Sequence, residues 1–293
     1  MSEVARGRRR GVGWTPVGYG LHVLSADPEV ALVDRLSAWQ LALPEGAVFT
    51  SLTAAALRGW WLPATPAPLV QIAVGERDSH PQRRGLRVFR LQDRPDRELV
   101  YGLPVAAAAE TLLAAATELA VLDLVPLADS ALRSGACTLD EVRAMAATRR
   151  RGAPALRRVL LQLDARSESP WESIMRVLHR AAGIEVEPQY VIRDDGGRFV
   201  ARADLWLVGT RRIHEYDGEV HRDAATHRRD LSRDRRLTDT GWQRHGYTAT
   251  EVLHGAGPIL ASVDALLGRT WDPERLARWR LLVAESSYGR QNR

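Results

Sequence analysis

Asp204 in ARADLWL and Glu215, Asp217 and His221 in HEYDGEVHRD are the residues of this chain whose types and spacing could hold a cation. Side chains alternate along a strand, so Ala203, Leu205 and Leu207 are expected on one face of the strand 199–207, with Arg202, Asp204 and Trp206 on the other. In the next strand, 212–217, Ile213, Glu215 and Asp217 share a face. Either a tight hairpin centred on Gly209 and Thr210 or a longer loop over 208–211 places Asp204 directly opposite Glu215. Carboxylates so paired have Cβ atoms about 5 Å apart and repel. A divalent cation, Mg²⁺ or Mn²⁺, offsets that repulsion and keeps coordination sites for water and phosphate. Asp217 can reach the same cation or a water on it. Gly218 permits a turn with positive φ, after which His221 can fold back as general base or proton shuttle. The alternative is a hairpin end whose acids face water.

These residues need elements to position them. Ser169, Pro170, Trp171 and Glu172 read as a helix start with Ser at the N-cap, Pro at N1 and Glu at N3, and Gly183 ends that helix. Glu172 is thus a capping residue, a ligand-orienting residue, or both. Strands follow at 189–192, 199–207 and 212–217, with turn residues at 194–197. A charged helix spans 224–240, a strand 243–247, and helices start at Thr248 and Pro258. This order predicts a mixed sheet flanked by helices. The charged helix and its approach carry Arg222, Arg228, Arg229, Arg233, Arg235 and Arg236 against Asp223, Asp230 and Asp234, with Asp230 and Arg233 on one face with Leu237. Such a run is a solvated face or, beside an acidic pocket, the means of holding phosphates while carboxylates hold the cation.

The first half reads as a β-rich start (17–24), helices at 28–43 and 51–59, strands at 70–74 and 86–91, and helices within 106–133 and 139–149. The run 149–154 has the composition of a boundary, so domains over 1–155 and 156–293 are expected, the first a smaller mixed α/β domain. The net charge is +5, and all 41 basic residues are arginines. That excludes any mechanism that needs a lysine amine. The single cysteine, Cys137, makes no intrachain disulfide, which points to a reducing, cytoplasmic setting. The most apolar segment, 106–128, is interrupted by Glu110, Glu118 and Asp123, so no membrane span is expected. Arg6 to Arg10 lead into Gly, Trp and Pro rather than a signal-peptide core.

From about Ser169 to Leu267 the chain resembles the PD-(D/E)XK nuclease superfamily, and more closely its branch akin to the very-short-patch-repair endonuclease. The resemblance rests on Glu172 in SPWES, Asp204 in ARADLWL, Glu215, Asp217, Gly218 and His221 in EYDGEVH, Asp230 and Arg233 in DLSR, and Gly241 and Trp242 in TGW. It covers about a third of the chain. The superfamily's usual lysine is replaced by Asp217, which is the pattern within this branch. Gly246 stands where the branch often has an arginine. The first half is similar, over TSLTAAALRGWWLP, LRVFRL and GLPVAAAAETLL, to the C-terminal domain of AbiEi-type antitoxins.

The nuclease resemblance implies a restriction-endonuclease-like fold and Mg²⁺- or Mn²⁺-dependent cleavage of nucleic acid, DNA first. Asp204 and Glu215 would bind the metal with help from Asp217, His221 would handle the water proton, and Glu172 would orient a ligand or water. Arg222, Arg228, Arg229, Arg233 and Arg236 would hold phosphates, with Asp230 and Trp242 in support. The first domain would position substrate or a protein partner, as expected in a defence or toxin–antitoxin setting. The competing expectation is a non-catalytic DNA-binding regulator that keeps a nuclease fold.

Overall fold

The computed structural model describes residues 2–7, 13–25, 30–64, 69–218 and 224–290, apart from the side chains of residues 224–231 and 290. The chain is α+β and divides into two compact units. One comprises Met1–Leu119 with Cys137–Arg157, the other Ala120–Ala136 with Arg158–Arg293. The main division falls close to the expected 155/156 boundary, but Ala120–Ala136 belongs with the second unit. No helix among the described residues is long and apolar enough to cross a membrane.

In the first unit, β1 (Val4–Arg6), β2 (Trp14–Gly18) and β3 (Leu21–Leu24) make a three-stranded sheet in the order β1-β3-β2. The expected β-rich start is therefore a hairpin, turning at Tyr19 and Gly20, whose φ is +67°. Next come α1 (Leu32–Gln40), β4 (Val48–Phe49), α2 (Ser51–Leu57), β5 (Val70–Gly75), β6 (Leu86–Leu91), β7 (Arg97–Val100), β8 (Leu103–Ala106) and α3 (Ala108–Ala115). The five strands β4 to β8 form a second sheet in the order β6-β5-β4-β8-β7. Its core packs Phe49, Ile72, Val74 and Val105 against Leu36 and Trp39 of α1. The short strands β4, β7 and β8 lie outside the sequence expectation, since two to four residues carry too little alternation to register.

After α3 come α4 (Val121–Arg133), α5 (Leu139–Ala147) and α6 (Ala153–Val159). α4 belongs to the second unit because its buried Asp129 is ion-paired with Arg176 and accepts a hydrogen bond from Ser173 Oγ at 2.6 Å. Both partners lie on α7 (Pro170–Ala181). Apolar pattern alone reveals which face of α4 is buried, but not which unit buries it.

The second unit continues with β9 (Val186–Arg193), β10 (Phe199–Leu207), β11 (Arg212–Tyr216), α8 (Ala224–Asp239), β12 (Gln243–Tyr247), α9 (Ala249–His254), α10 (Ala256–Leu266), α11 (Arg275–Glu285) and α12 (Ser287–Arg290). Its sheet is mixed, in the order β12-β11-β10-β9, with β12 parallel to β11 and the other pairs antiparallel. The parallel pair requires a crossover, and α8 supplies it. Ile213 packs with Leu237 of α8, whereas its neighbour His214 bonds His179 of α7. Adjacent strand residues point to opposite faces, so α7 and α8 cover opposite sides of the sheet. The 208–211 loop joins β10 to β11, closed by Thr210 N–H donating to Leu207 O at 3.1 Å, with Gly209 at φ +79°.

Candidate functional site

The β10–β11 ladder pairs Leu205 with His214 and Trp206 with Ile213, so the next positions along it are Asp204 and Glu215. The expected alternation, however, breaks at Asp204. Tyr190 is paired with Ala203 yet stacks on Trp206, with ring centroids 4.2 Å apart. Residues directly opposite share a face, so Ala203 lies with Trp206 on the α8 side although the two are three positions apart. Leu205, opposite His214, lies on the α7 side. The pleat therefore turns over at Asp204, and Arg202, Asp204 and Trp206 do not form the single row that strict alternation predicts. Arg202 instead reaches Glu168, just ahead of α7, at 2.6 Å. In β9 the matching irregularity is Gln189, which holds φ +55° between Pro188, opposite Leu205, and Tyr190, opposite Ala203.

Around this pivot three carboxylates from different elements come together. Asp204 accepts a hydrogen bond from Tyr216 N–H at 3.0 Å. Burial pushes its carboxyl up to about 7, with the Glu172 and Glu215 charges adding to the rise and Arg233 opposing it. Glu172 sits at N3 of α7 as expected, and Ser169 Oγ accepts its backbone N–H at 3.2 Å. Its carboxylate does not complete the reciprocal capping box. It accepts Glu168 N–H at 2.8 Å and the Gln189 side-chain amide at 2.8 Å. Gln189 stands beside Asp204, so the capping glutamate is drawn toward the sheet. Trp171, next to Glu172, stacks on Tyr216 with centroids 5.3 Å apart, which fixes the start of α7 against the end of β11.

Glu215 is 5% exposed and lies between two guanidinium groups. Arg233 binds it bidentately, and Arg244 Nε donates to it at 2.5 Å. Burial raises this carboxyl, but the hydrogen bonds and charges of Arg233 and Arg244 outweigh burial and hold it below the usual carboxylate range. Arg244 also donates to Asp217 at 2.6 Å. Arginines thus supply, for Glu215 and Asp217, the compensation that the sequence reading gives to a cation. Arg233 further donates to Arg202 O at 2.8 Å, so it braces two strands. Among the described residues no three His, Cys, Asp or Glu side chains are grouped to hold a metal ion. Asp204 Oδ1 and Glu172 Oε1 accept no hydrogen bond from the described residues.

The other expected residues are placed as follows. Arg236 is exposed and donates to Ser232 Oγ at 3.1 Å. Trp242 packs with Tyr190, Trp206 and Leu237 and so supports the α8 side of the sheet. His221 and Arg222 lie outside the described residues, as do the side chains of Arg228, Arg229 and Asp230. Two contributors escape the sequence reading. Gln189 gives no periodic signal, and the one local hint is Pro188 before it. Arg244 precedes Gly246 by one strand period and so points to the same side. A Cβ at Gly246 would stand 1.8 Å from Asp217 Oδ2, so the glycine makes room for the carboxylate that Arg244 holds.

On the α7 side, His179 Nδ1–H donates to Met175 O at 2.7 Å, which leaves its Nε2 to accept from His214 Nδ1–H at 2.9 Å. Two neutral rings in these tautomers complete the chain of bonds and leave His214 Nε2 buried without a hydrogen-bond partner among the described residues. Burial pushes His179 down to about 4, and burial followed by the His179, His245 and Arg212 charges lowers His214 well below its ordinary value. Both folded-state values are depressed. Above pH 6.5 neither state binds these protons, whereas below it the unfolded chain gains protons that the folded one refuses. Thermal denaturation is therefore expected to show stability falling as pH drops from about 6.5 toward 4. His214→Asn should flatten that dependence, and an equally steep profile in the variant would assign it to other groups.

The first unit holds a cleft of about 570 Å³ between β6 and α3, floored by Ala73, Phe89 and Leu91. Three of its five arginines are already neutralised, Arg94 by Asp78 and Arg150 by Glu110, both at 2.5 Å, and Arg87 by Glu118 at 2.9 Å. Searches of known protein families, curated proteins and solved structures find no match to this chain.

Proposed function

We propose that the second unit is a divalent-cation-dependent phosphodiester hydrolase acting on DNA. The observation that carries this reading is Asp204, a carboxyl raised to about 7 by burial and by the neighbouring Glu172 and Glu215 charges, whose Oδ1 accepts no hydrogen bond from the described residues. Structural carboxylates are usually given a counter-charge, as Glu215 and Asp217 are here. A carboxylate left in the company of other carboxylates is a mark of functional sites. The donors suit Mg²⁺, which needs only one or two protein carboxylates beside waters and substrate phosphate oxygens. Asp204 and Glu172 would hold it, joined by Glu215 once an arginine is released. A bound cation would lower the pKa of a water and offset the negative charge on the phosphoryl oxygens. Arg233 and Arg244, already at the carboxylates, would turn toward the phosphate. The resemblance of residues 169–267 to the PD-(D/E)XK superfamily supports the same reading. The first unit would position substrate or a partner.

The neutralisation of Glu215 and Asp217 favours a second reading, a DNA-binding regulator on a nuclease fold. Incubation of purified protein with supercoiled plasmid and with linear duplex, single-stranded DNA and RNA, in Mg²⁺, Mn²⁺ or chelator, separates the two. Metal-dependent conversion of plasmid is expected. Salt-dependent binding without cleavage of any substrate would leave the regulator.

A further inference from the structure

Gln189 occupies the left-handed region at φ +55° in mid-strand. For a residue with a long side chain this conformation costs free energy and survives where the surroundings demand it. Glycine would take it without strain. Something must therefore retain glutamine. Its side chain supplies the reason: Nε2 donates to Glu172 at 2.8 Å, and the residue falls in register beside Asp204 at the point where both strands reverse their pleat. A regular β9 would present residue 189 to one face of the sheet, away from the strand junction. The left-handed residue instead lets Pro188 and Tyr190 face opposite sides while the amide meets the helix-borne carboxylate. The amide oxygen accepts no hydrogen bond from the described residues.

We propose that Gln189 is a positioning residue of the site, its strained backbone kept so that its amide holds Glu172 toward Asp204. This rests on the phosphodiesterase reading above. Among the described residues Glu172 has one other partner, the Glu168 N–H, which donates to the same oxygen, Oε2; that bond alone ties the oxygen to the helix start, and the amide is the donor that ties it to the sheet. Loss of the amide would leave Glu172 free to rotate. Outer partners that orient metal-binding groups typically change metal affinity or activity by about 10- to 100-fold when removed.

The test compares the wild-type chain with Gln189→Gly and Gln189→Asn. Glycine removes both strain and amide; asparagine tolerates the backbone but is one methylene too short to reach Glu172. The expected result is a Tm for Gln189→Gly equal to or above wild type, with Mn²⁺ affinity by electron paramagnetic resonance and plasmid cleavage both reduced about 10- to 100-fold in each variant. This opposition of stability and activity is what a merely structural role would not produce. Independently of activity, the Gln189 side-chain amide protons should be protected from solvent exchange in wild type and lose that protection in Glu172→Ala. Wild-type Mn²⁺ affinity in both variants, or a lowered Tm in Gln189→Gly, would overturn the proposal. A protected amide in a wild-type protein that binds no Mn²⁺ and cleaves nothing would instead overturn the hydrolase reading on which it rests.

Discussion

Asp204→Asn should abolish metal-dependent cleavage while making the folded protein more stable at pH 8. The variant keeps an oxygen to accept Tyr216 N–H and nearly the same shape, so the fold should survive. A cation contributes several kcal/mol to phosphoryl transfer, and each 1.36 kcal/mol is tenfold in rate, so loss of its ligand should slow cleavage by at least about 10²- to 10³-fold. The stability change follows from the raised carboxyl. The unfolded value is near 3.8 and the folded value about 7. The contribution of this group is thus fully present below pH 3.8 and is lost as pH rises through 7. At pH 8 the penalty is on the order of a few kcal/mol, and the amide removes it. Thermal melts at pH 5 and pH 8 should show the variant's advantage growing with pH. A variant that cleaves at the wild-type rate would refute the assignment of Asp204, and one that melts below wild type at pH 8 would show that the carboxylate is structurally required.

Asp129→Ala is expected to cause a large loss of stability in the second unit. Asp129 and Arg176 are both fully buried, and the carboxylate also accepts Asp164 N–H at 2.8 Å and Ser173 Oγ–H at 2.6 Å. Arg176 is held further by Ser167 Oγ and by Gln162 O at 2.9 Å. Removing one member of a buried pair leaves an uncompensated charge and costs about 3–5 kcal/mol. For a unit of this size that corresponds to a fall in Tm of roughly 10 °C. Asp129→Asn, which keeps one acceptor oxygen for the Asp164 N–H and offers an amide N–H to the Ser173 hydroxyl oxygen, should lose less. Because Asp129 lies on α4 and Arg176 on α7, urea denaturation followed by Trp171 fluorescence on α7 should report the loss. A change below about 1 kcal/mol would mean that water or rearrangement satisfies Arg176.

These two sites differ in how far the sequence exposes them. The opposition of Asp204 and Glu215 follows from counting residues around Gly209, since a short antiparallel connection leaves few registers open. The start of α7 is likewise local: Ser169 and Pro170 satisfy and pre-shape the first turn using atoms within three positions. The order of elements in the second unit, and hence a mixed sheet covered by helices, comes from periodicity and turn residues. The compensation of Glu215 does not. Arg244 arrives from β12 through the α8 crossover, 29 residues along the chain, and the sequence interval holds other arginines that serve equally well on paper. Only the parallel pairing of β11 with β12 selects it. The assignment of α4 to the second unit is equally non-local, because it depends on Asp129 finding Arg176 47 residues away. The left-handed Gln189 and the pleat reversal at Asp204 belong to neither strand's pattern. Alternation describes a strand in isolation, whereas this pivot exists because two strands and a helix terminus must bring an amide and three carboxylates to one place.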